Sequence, residues 1–278
     1  MALLMEKTVI ITGTSSGIGK EASLFFSEKG WNVVATMRNP NKRKTELKNK
    51  DGIDCIHLDV LDEKSIGDAI KFTLKKYKKI DVVVNNAGYS LFGPFEASKK
   101  EQVKKQFDTN VLGLMNVTRE ILPTFRKQRN GVIINVSSAA GRMTFPFYSL
   151  YNSTKWAVEG FSESLQFELR QFNIKIKIIE PGIINTEFYA GSKVIAENQT
   201  FEDYKTSLNK MIEYEKRNIE KKNYSHPRVV AETIYKAAID ESWKMRYKTG
   251  KYAGTIITLR RLFPDPLFFG IIRRLALK

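Results

Sequence analysis

Tyr151 and Lys155 stand four residues apart in Tyr151-Asn-Ser-Thr-Lys155. At the start of a helix that spacing puts a phenol and an ammonium on one face. A free tyrosine has a pKa of about 10, too high to exchange protons at neutral pH. A positive charge beside it favours the tyrosinate and brings the group into range for acid–base work. Tyr-x-x-x-Lys alone is equally a pattern of plain helix packing. Its setting separates the two readings. Thirteen residues before the tyrosine, at the end of an apolar strand pattern, stands Ser138 in "NVSSAAG". A strand end followed by a helix can aim that hydroxyl and the phenol at one substrate oxygen.

A second stretch, "ITGTSSGIGK" from Ile11 to Lys20, carries Gly13, Gly17 and Gly19. It reads as a phosphate cradle or as a tight turn. Because Gly13-Thr14-Ser15-Ser16-Gly17 formally matches G-x-S-x-G, it also reads as the elbow that presents a hydrolase serine. An elbow serine needs a histidine later in the chain. His57 lies in an apolar strand pattern and His226 precedes Pro227 at a helix start, so both have structural explanations. The glycines directly follow the first strand and open the first helix, where backbone N–H groups and the positive helix end face a dinucleotide pyrophosphate. The cradle is the better reading, with Ser15 a contact and not a nucleophile. The spacing T-G-x-x-x-G-x-G is one residue longer than G-x-G-x-x-G, so the turn differs.

The second strand then selects the cofactor. Binding of NAD usually places Asp or Glu about 20 residues beyond the glycines, on the ribose 2′-hydroxyl. Here the strand ends "ATMRNPNKRK", with Arg38 nineteen residues after Gly19 and no carboxylate before Glu46. A guanidinium pairs bidentately with a 2′-phosphate, which predicts NADP(H).

The elements that must position these groups alternate. "TVIIT", "NVVATM", "DCIHLDV", "DVVVNNAG", "GVIINVSS" and "IKIKIIEPG" read as strands. Helical patterns lie between them, among them one long helix from about Lys99 to Arg129 and another from about Asn152 to Gln171. Continuously apolar strands suit a parallel sheet buried on both faces. The fold class expected is α/β, a doubly wound Rossmann-type parallel sheet with helices on both faces, in a single domain over residues 1–278. Residues 187–227 are expected to form a substrate lid. Phe188, Tyr189, Val194, Ile195, Phe201, Tyr204, Leu208 and Met211 make it apolar, for a hydrophobic substrate or simply to pack the lid on the body.

The chain carries 46 Lys and Arg against 30 Asp and Glu, a net charge of +16. The lysines are scattered, which reads first as a solvated surface and second as a field for an anionic cofactor. No nucleic-acid motif accompanies them, and no nucleic-acid partner is expected. Cys55 is the single cysteine, so there is no internal disulfide, and with two histidines no metal site is expected. A cytoplasmic setting fits. "MALLMEK" lacks the basic start of a signal peptide, and no apolar run reaches the roughly 20 residues that span a bilayer. The C-terminal extension, residues 254–278, is rich in basic and apolar residues. It can pack on the body or rest on an anionic membrane surface; its two prolines break any long amphipathic helix, which favours packing.

"TGTSSGIG", "LDV", "NNAG", "DTNVLG", "INVSS", "YNSTK" and "EPGIINT" together resemble the short-chain dehydrogenase/reductase family, in its order and spacing, from Thr8 to about Ala253. "ATMR" and the segments around Asn86 and Tyr151 are most similar to its NADP-preferring branch, with steroid and retinol dehydrogenases and bacterial oxidoreductases. The resemblance implies hydride transfer between a nicotinamide and a carbonyl or alcohol carbon of a small molecule. It implies Tyr151 as general acid/base and Ser138 as partner of the substrate oxygen, with Ser137 its rival. Lys155 would anchor the ribose and tune the tyrosine, and Asn110 would hold the water of a proton relay. Cofactor contacts would come from Gly13, Ser15, Ser16, Gly17, Ile18, Gly19, Arg38, Asp59, Val60, Asn86, Ala87, Gly88, Tyr151, Lys155, Pro181, Gly182, Ile184 and Thr186. A homo-oligomer is implied as well. The same fold also serves catalytically silent NADP-binding regulators or scaffolds; the presence of Asn110, Ser138, Tyr151 and Lys155 favours an enzyme.

Overall fold

Strands that are apolar along their whole length must be covered on both faces, and the chain covers them by winding helices alternately to either side. The computed structural model describes residues 6–42, 45–185, 193–196 and 202–277. In chain order the elements are β1 (Thr8–Thr12), α1 (Gly17–Glu28), β2 (Asn32–Met37), β3 (Ile53–His57), α2 (Glu63–Tyr77), β4 (Val82–Asn85) and β5 (Ser90–Phe92). Then follow α3 (Lys100–Phe107), a single π turn (Asp108–Leu112), α4 (Gly113–Gln128), β6 (Gly131–Val136), α5 (Ser149–Leu169), β7 (Ile174–Pro181) and β8 (Lys193–Ile195). The remainder is α6 (Glu202–Glu220), α7 (Pro227–Ile239), β9 (Arg246–Thr249), α8 (Ala253–Leu262) and α9 (Asp265–Leu277).

Seven strands form one parallel sheet in the order β3-β2-β1-β4-β6-β7-β9. The chain steps outward from β1 to β3, then returns to lay β4 against the other side of β1. That reversal opens a crevice at the carboxyl ends of β1 and β4, where such sheets bind ligands. One face of the sheet is covered by α1 and α7, through Ala22, Phe26, Val230 and Ile234. The other is covered by α2, α4 and α5, through Ile66, Val117, Ile121 and Leu165. A short second sheet pairs β5 with β8, also in parallel.

Three differences from the sequence expectation bear on the site. The long helix expected from Lys99 to Arg129 is two helices joined by the π turn. Regular α geometry there is interrupted where Gly113 presses on the turn after β3; a Cβ on it would lie 2.5 Å from Val60 Cγ2. A π turn inside a helix re-aims a side chain, and such turns often mark functional positions. Asn110 is inside this one. Second, α5 begins at Ser149 and not Asn152, so Tyr151 belongs to its first turn. Third, Lys177 in "IKIKII" is fully buried, yet its Nζ donates to Ser242 O at 2.6 Å and to Lys244 O at 2.9 Å. These bonds offset the cost of burying an ammonium and fasten the turn that leads into β9.

The expected lid is represented among the described residues by α6 and by the backbone of residues 193–196. Thr186, Phe188, Tyr189, Phe201 and the side chains of Val194 and Ile195 lie outside what is described. Met211 of α6 is buried, and with Leu208 it packs on Phe92, Tyr148 and Tyr151. Among the described residues no helix is long and apolar enough to cross a membrane.

Candidate active site

The cradle is built from backbone and held by threonines. Gly13 has φ +69, a conformation that only glycine adopts without strain. A Cβ on it would lie 2.8 Å from Ala87 Cα, and one on Gly19 would lie 2.4 Å from Gly13 O. The turn therefore closes on itself and on the segment after β4 only if both positions lack side chains. Thr12 Oγ1 accepts from Asn86 N at 3.0 Å and Ala87 N at 3.1 Å. Asn86 Nδ2 donates to Thr12 O and Gly13 O. Thr14 Oγ1 donates to Thr36 O, and Thr36 Oγ1 to Ile11 O. The ends of β1, β2 and β4 are thus fixed around the crevice.

At the N-cap of α1, Ser16 makes no side-chain cap bond and the first helical turn contains no acidic residue. The N–H groups of Gly17, Ile18 and Gly19 and the positive helix end are left for an anion, together with the Ser15 and Ser16 hydroxyls. The cradle fits a dinucleotide pyrophosphate. Ile18 packs its side chain on the core, so only its backbone can contribute.

The other expected cofactor residues line the same carboxyl edge. Arg38 is exposed just beyond β2, and His57 Nδ1 donates to its carbonyl at 2.7 Å. Asp59 turns one carboxylate oxygen back to Leu61 N at 3.0 Å. Val60 is held by Asn116, which donates to its carbonyl. Gly88 lies against Asn110, and Gly182 lies so near Lys251 O that a Cβ would approach it to 2.1 Å. Pro181 ends β7. Ile184 faces the core, which leaves only its backbone for a ligand.

Ser138, Tyr151 and Lys155 meet beside this edge. The Ser138 hydroxyl faces the Tyr151 phenol, accepts from Ala140 N at 3.1 Å and reaches Pro181 O at 3.5 Å. Ser137, the alternative serine, turns away and lies against Glu159 on the other side of the strand end. Lys155 Nζ donates to Val136 O at 2.8 Å and sits 5.7 Å from the Tyr151 ring centre. Asn110 is committed to structure through its side chain. Its Nδ2 donates to Tyr89 O at 2.8 Å and Thr154 Oγ1 at 3.2 Å, and its Oδ1 accepts from Tyr89 N at 3.0 Å.

Burial dominates the electrostatics. It pushes the Tyr151 phenol up to about 12, with the Ser138 bond pulling the other way. It pushes Lys155 down to about 8, with the Glu159 carboxylate opposing. The sequence suggested a tyrosine lowered by its lysine. In the folded chain desolvation outweighs that effect, and the phenol is neutral at physiological pH. A neutral phenol is the form that gives a proton to a carbonyl oxygen.

Sequence reasoning did not single out the charged groups behind Lys155. Glu159 is buried one turn further along α5, and Arg246 of β9 holds it with Nε at 3.1 Å. The same guanidinium lies 3.3 Å from buried Glu180 of β7, whose carboxyl is raised to about 7 by burial and by Glu159. The i+4 spacing from Lys155 was the one available signal. The arginine comes from a strand some ninety residues away, and no local pattern could pair them.

A family model described as short chain dehydrogenase matches residues 7–194 of the chain. The chain belongs to the short-chain dehydrogenase family. This short-chain dehydrogenase is 34% identical over 250 residues to the 3-ketodihydrosphingosine reductase of Bacteroides thetaiotaomicron, covering 89% of each chain. Its fold is similar to a short-chain dehydrogenase from Streptomyces avermitilis, with TM-score 0.81, 28% identity, and 95% of this chain and 96% of that one covered. It is also similar to ElxO with NADP bound, with TM-score 0.69, 30% identity, and coverage of 88% and 97%. The short-chain dehydrogenase is an oxidoreductase that acts on CH–OH or C=O groups of small molecules.

Proposed function

We propose that the chain is an NADP(H)-dependent oxidoreductase acting on a hydrophobic carbonyl or its alcohol. The observation that carries this is the Ser138 hydroxyl facing the Tyr151 phenol with Lys155 behind it, beside a glycine cradle shaped for a pyrophosphate. When bound, the dinucleotide gives hydride to, or takes it from, the substrate carbon. Backbone N–H groups of Gly17, Ile18 and Gly19, with Gly13, Ser15 and Ser16, hold its phosphates. Arg38 takes the 2′-phosphate, Asp59 and Val60 flank the adenine, and Asn86, Ala87 and Gly88 follow its middle. Pro181, Gly182, Ile184 and Thr186 take the nicotinamide end.

Tyr151 donates its phenolic proton to the substrate oxygen, and Ser138 hydrogen-bonds the same oxygen, stabilising the negative charge that develops there. Lys155 would hold the ribose of a bound cofactor and is the source of the proton returned to Tyr151, with water at Asn110. The lysine ammonium also lowers the cost of any tyrosinate formed.

Two observations support an apolar substrate. Rings of Phe92, Tyr148 and Tyr151 run in sequence, with centroid separations of 4.9 and 6.2 Å. Beside Phe147 opens a mostly apolar cavity of about 530 Å³ lined by Gly93, Pro94, Phe95, Phe147 and Tyr204, with Glu96 and Ser149 as its polar members. NADP in the related ElxO structure and a lipid ketone in the name of the Bacteroides relative support the same reading. Tyr151→Phe tests it. NADPH-dependent reduction of an aromatic ketone should fall by about 10³-fold or more, the upper range for a general acid, while NADPH still binds. Undiminished turnover would refute the assignment. NADPH binding without measurable turnover in the unmodified chain would instead favour a silent cofactor-binding regulator.

A further inference from the structure

The C-terminal helices present two unlike faces. Phe268 and Ile272 turn inward against Met143, and Ala276 joins the cluster of Phe92, Tyr148 and Met211 that packs on Tyr151. Outside, Leu262 is 69% exposed, Leu267 50%, Phe269 43% and Leu275 54%. Apart from Asp265, Arg273 and Arg274, α9 is apolar or small around its whole circumference. A helix of that composition is normally covered on all sides. The thirteen described residues rise about 20 Å, short of the roughly 30 Å of a bilayer core, a length that suits lying flat at an interface.

The charges select what covers it. Asp265 is the one acidic residue between Lys244 and Lys278. Arg260 Nη1 pairs with it at 2.6 Å and lies over the rings of Phe268 and Phe269. Arg261, Arg273 and Arg274 are exposed and make no ion pair among the described residues. The net outward charge is therefore positive. A two-fold contact with a second copy would set these arginines against themselves, in a chain already at +16. A nucleic acid would pair the arginines but leave the leucines without an apolar partner. An anionic lipid surface accommodates both, with arginines at the phosphates and leucine and phenylalanine at the acyl boundary.

We propose that the outer face of α8 and α9, through Leu262, Leu267 and Phe269 with Arg261, Arg273 and Arg274, docks on an anionic lipid surface. Packing of the inner face and docking of the outer one coexist, because different residues of the same helix serve each. The inner face covers the Tyr151 cluster, so docking brings the apolar cleft close to the lipid. The inference does not depend on the proposed activity.

Co-sedimentation of the full chain with vesicles tests it without a turnover measurement. Vesicles of phosphatidylcholine are compared with vesicles in which about a third of the lipid is phosphatidylglycerol, at low salt. Binding to the anionic vesicles should be at least about tenfold tighter. Arg273→Gln with Arg274→Gln, both fully outside the core, should weaken it about tenfold, and Leu267→Ser with Phe269→Ser should do the same. Light scattering on the variants should show an unchanged oligomeric state, and circular dichroism should show an unchanged fold. No sedimentation with anionic vesicles overturns the proposal. So does binding indifferent to both variant pairs. A smaller oligomer in either variant also overturns it, because a second copy then occupies this face.

Discussion

Replacing Arg38 by alanine should cut the preference for NADPH over NADH by about tenfold. The two cofactors differ only in the 2′-phosphate, so the ratio of their dissociation constants isolates that contact. A charge-assisted hydrogen bond contributes about 1.5–3 kcal/mol. Arg38 is exposed beyond the end of β2, where water and salt screen it, so the lower end of that range applies. About 1.4 kcal/mol is a factor of ten in affinity. The main chain should not move, because His57 Nδ1 holds the Arg38 carbonyl and not its side chain. NADH affinity should accordingly stay constant. The assay is titration of both cofactors, followed by nicotinamide fluorescence, at low salt and near 1 M salt. High salt should shrink the preference of the unmodified chain toward that of the variant. An unmodified chain that binds both cofactors equally, or a variant that keeps its preference, would refute the assignment of Arg38.

Two further outcomes follow from the site. Reduction should slow as pH rises through about 8, where Lys155 loses its proton, while the Tyr151 phenol, at about 12, stays protonated. Lys155→Arg keeps the charge and should flatten that limb of the rate profile between pH 7 and 10, even if the rate itself falls. The apolar cavity and the Phe92–Tyr148–Tyr151 series predict that kcat/KM rises with the length of a series of aliphatic ketones, by roughly two- to fourfold for each buried methylene. A flat or falling series would sink the hydrophobic-substrate reading.

The sequence by itself determined six of the seven strands of the main sheet, but not β9 or the small β5–β8 pair, and it placed Tyr151 and Lys155 on one helix face. β1 and β2 occupy the runs "TVIIT" and "NVVATM" residue for residue, because buried parallel strands must be apolar throughout and a glycine ends the first. The cradle was legible because only glycine fits its turn, and a positive φ leaves its mark as residue type. Tyr151 and Lys155 were legible because both sit on one helix, where spacing alone determines which side chains share a face. Local patterns report local geometry, and these features are local.

Tertiary structure decided what depends on distant partners. Ser138 meets Tyr151 while Ser137 faces Glu159, because the backbone turns at the end of β6 and adjacent side chains point apart. The interruption of the helix around Asn110 is followed at once by Gly113, which lies against Val60, a contact across more than fifty residues. The direction of the Tyr151 and Lys155 shifts follows from enclosure, which the sequence of α5 does not contain. Desolvation depends on everything packed around a group, and helical spacing supplies only one neighbour. Arg246 reaches Glu159 and Glu180 only because β9 pairs with β7. The outer face of α9 is likewise visible only in the fold, which buries Phe268 and Ile272 and leaves Leu267 and Phe269 in water.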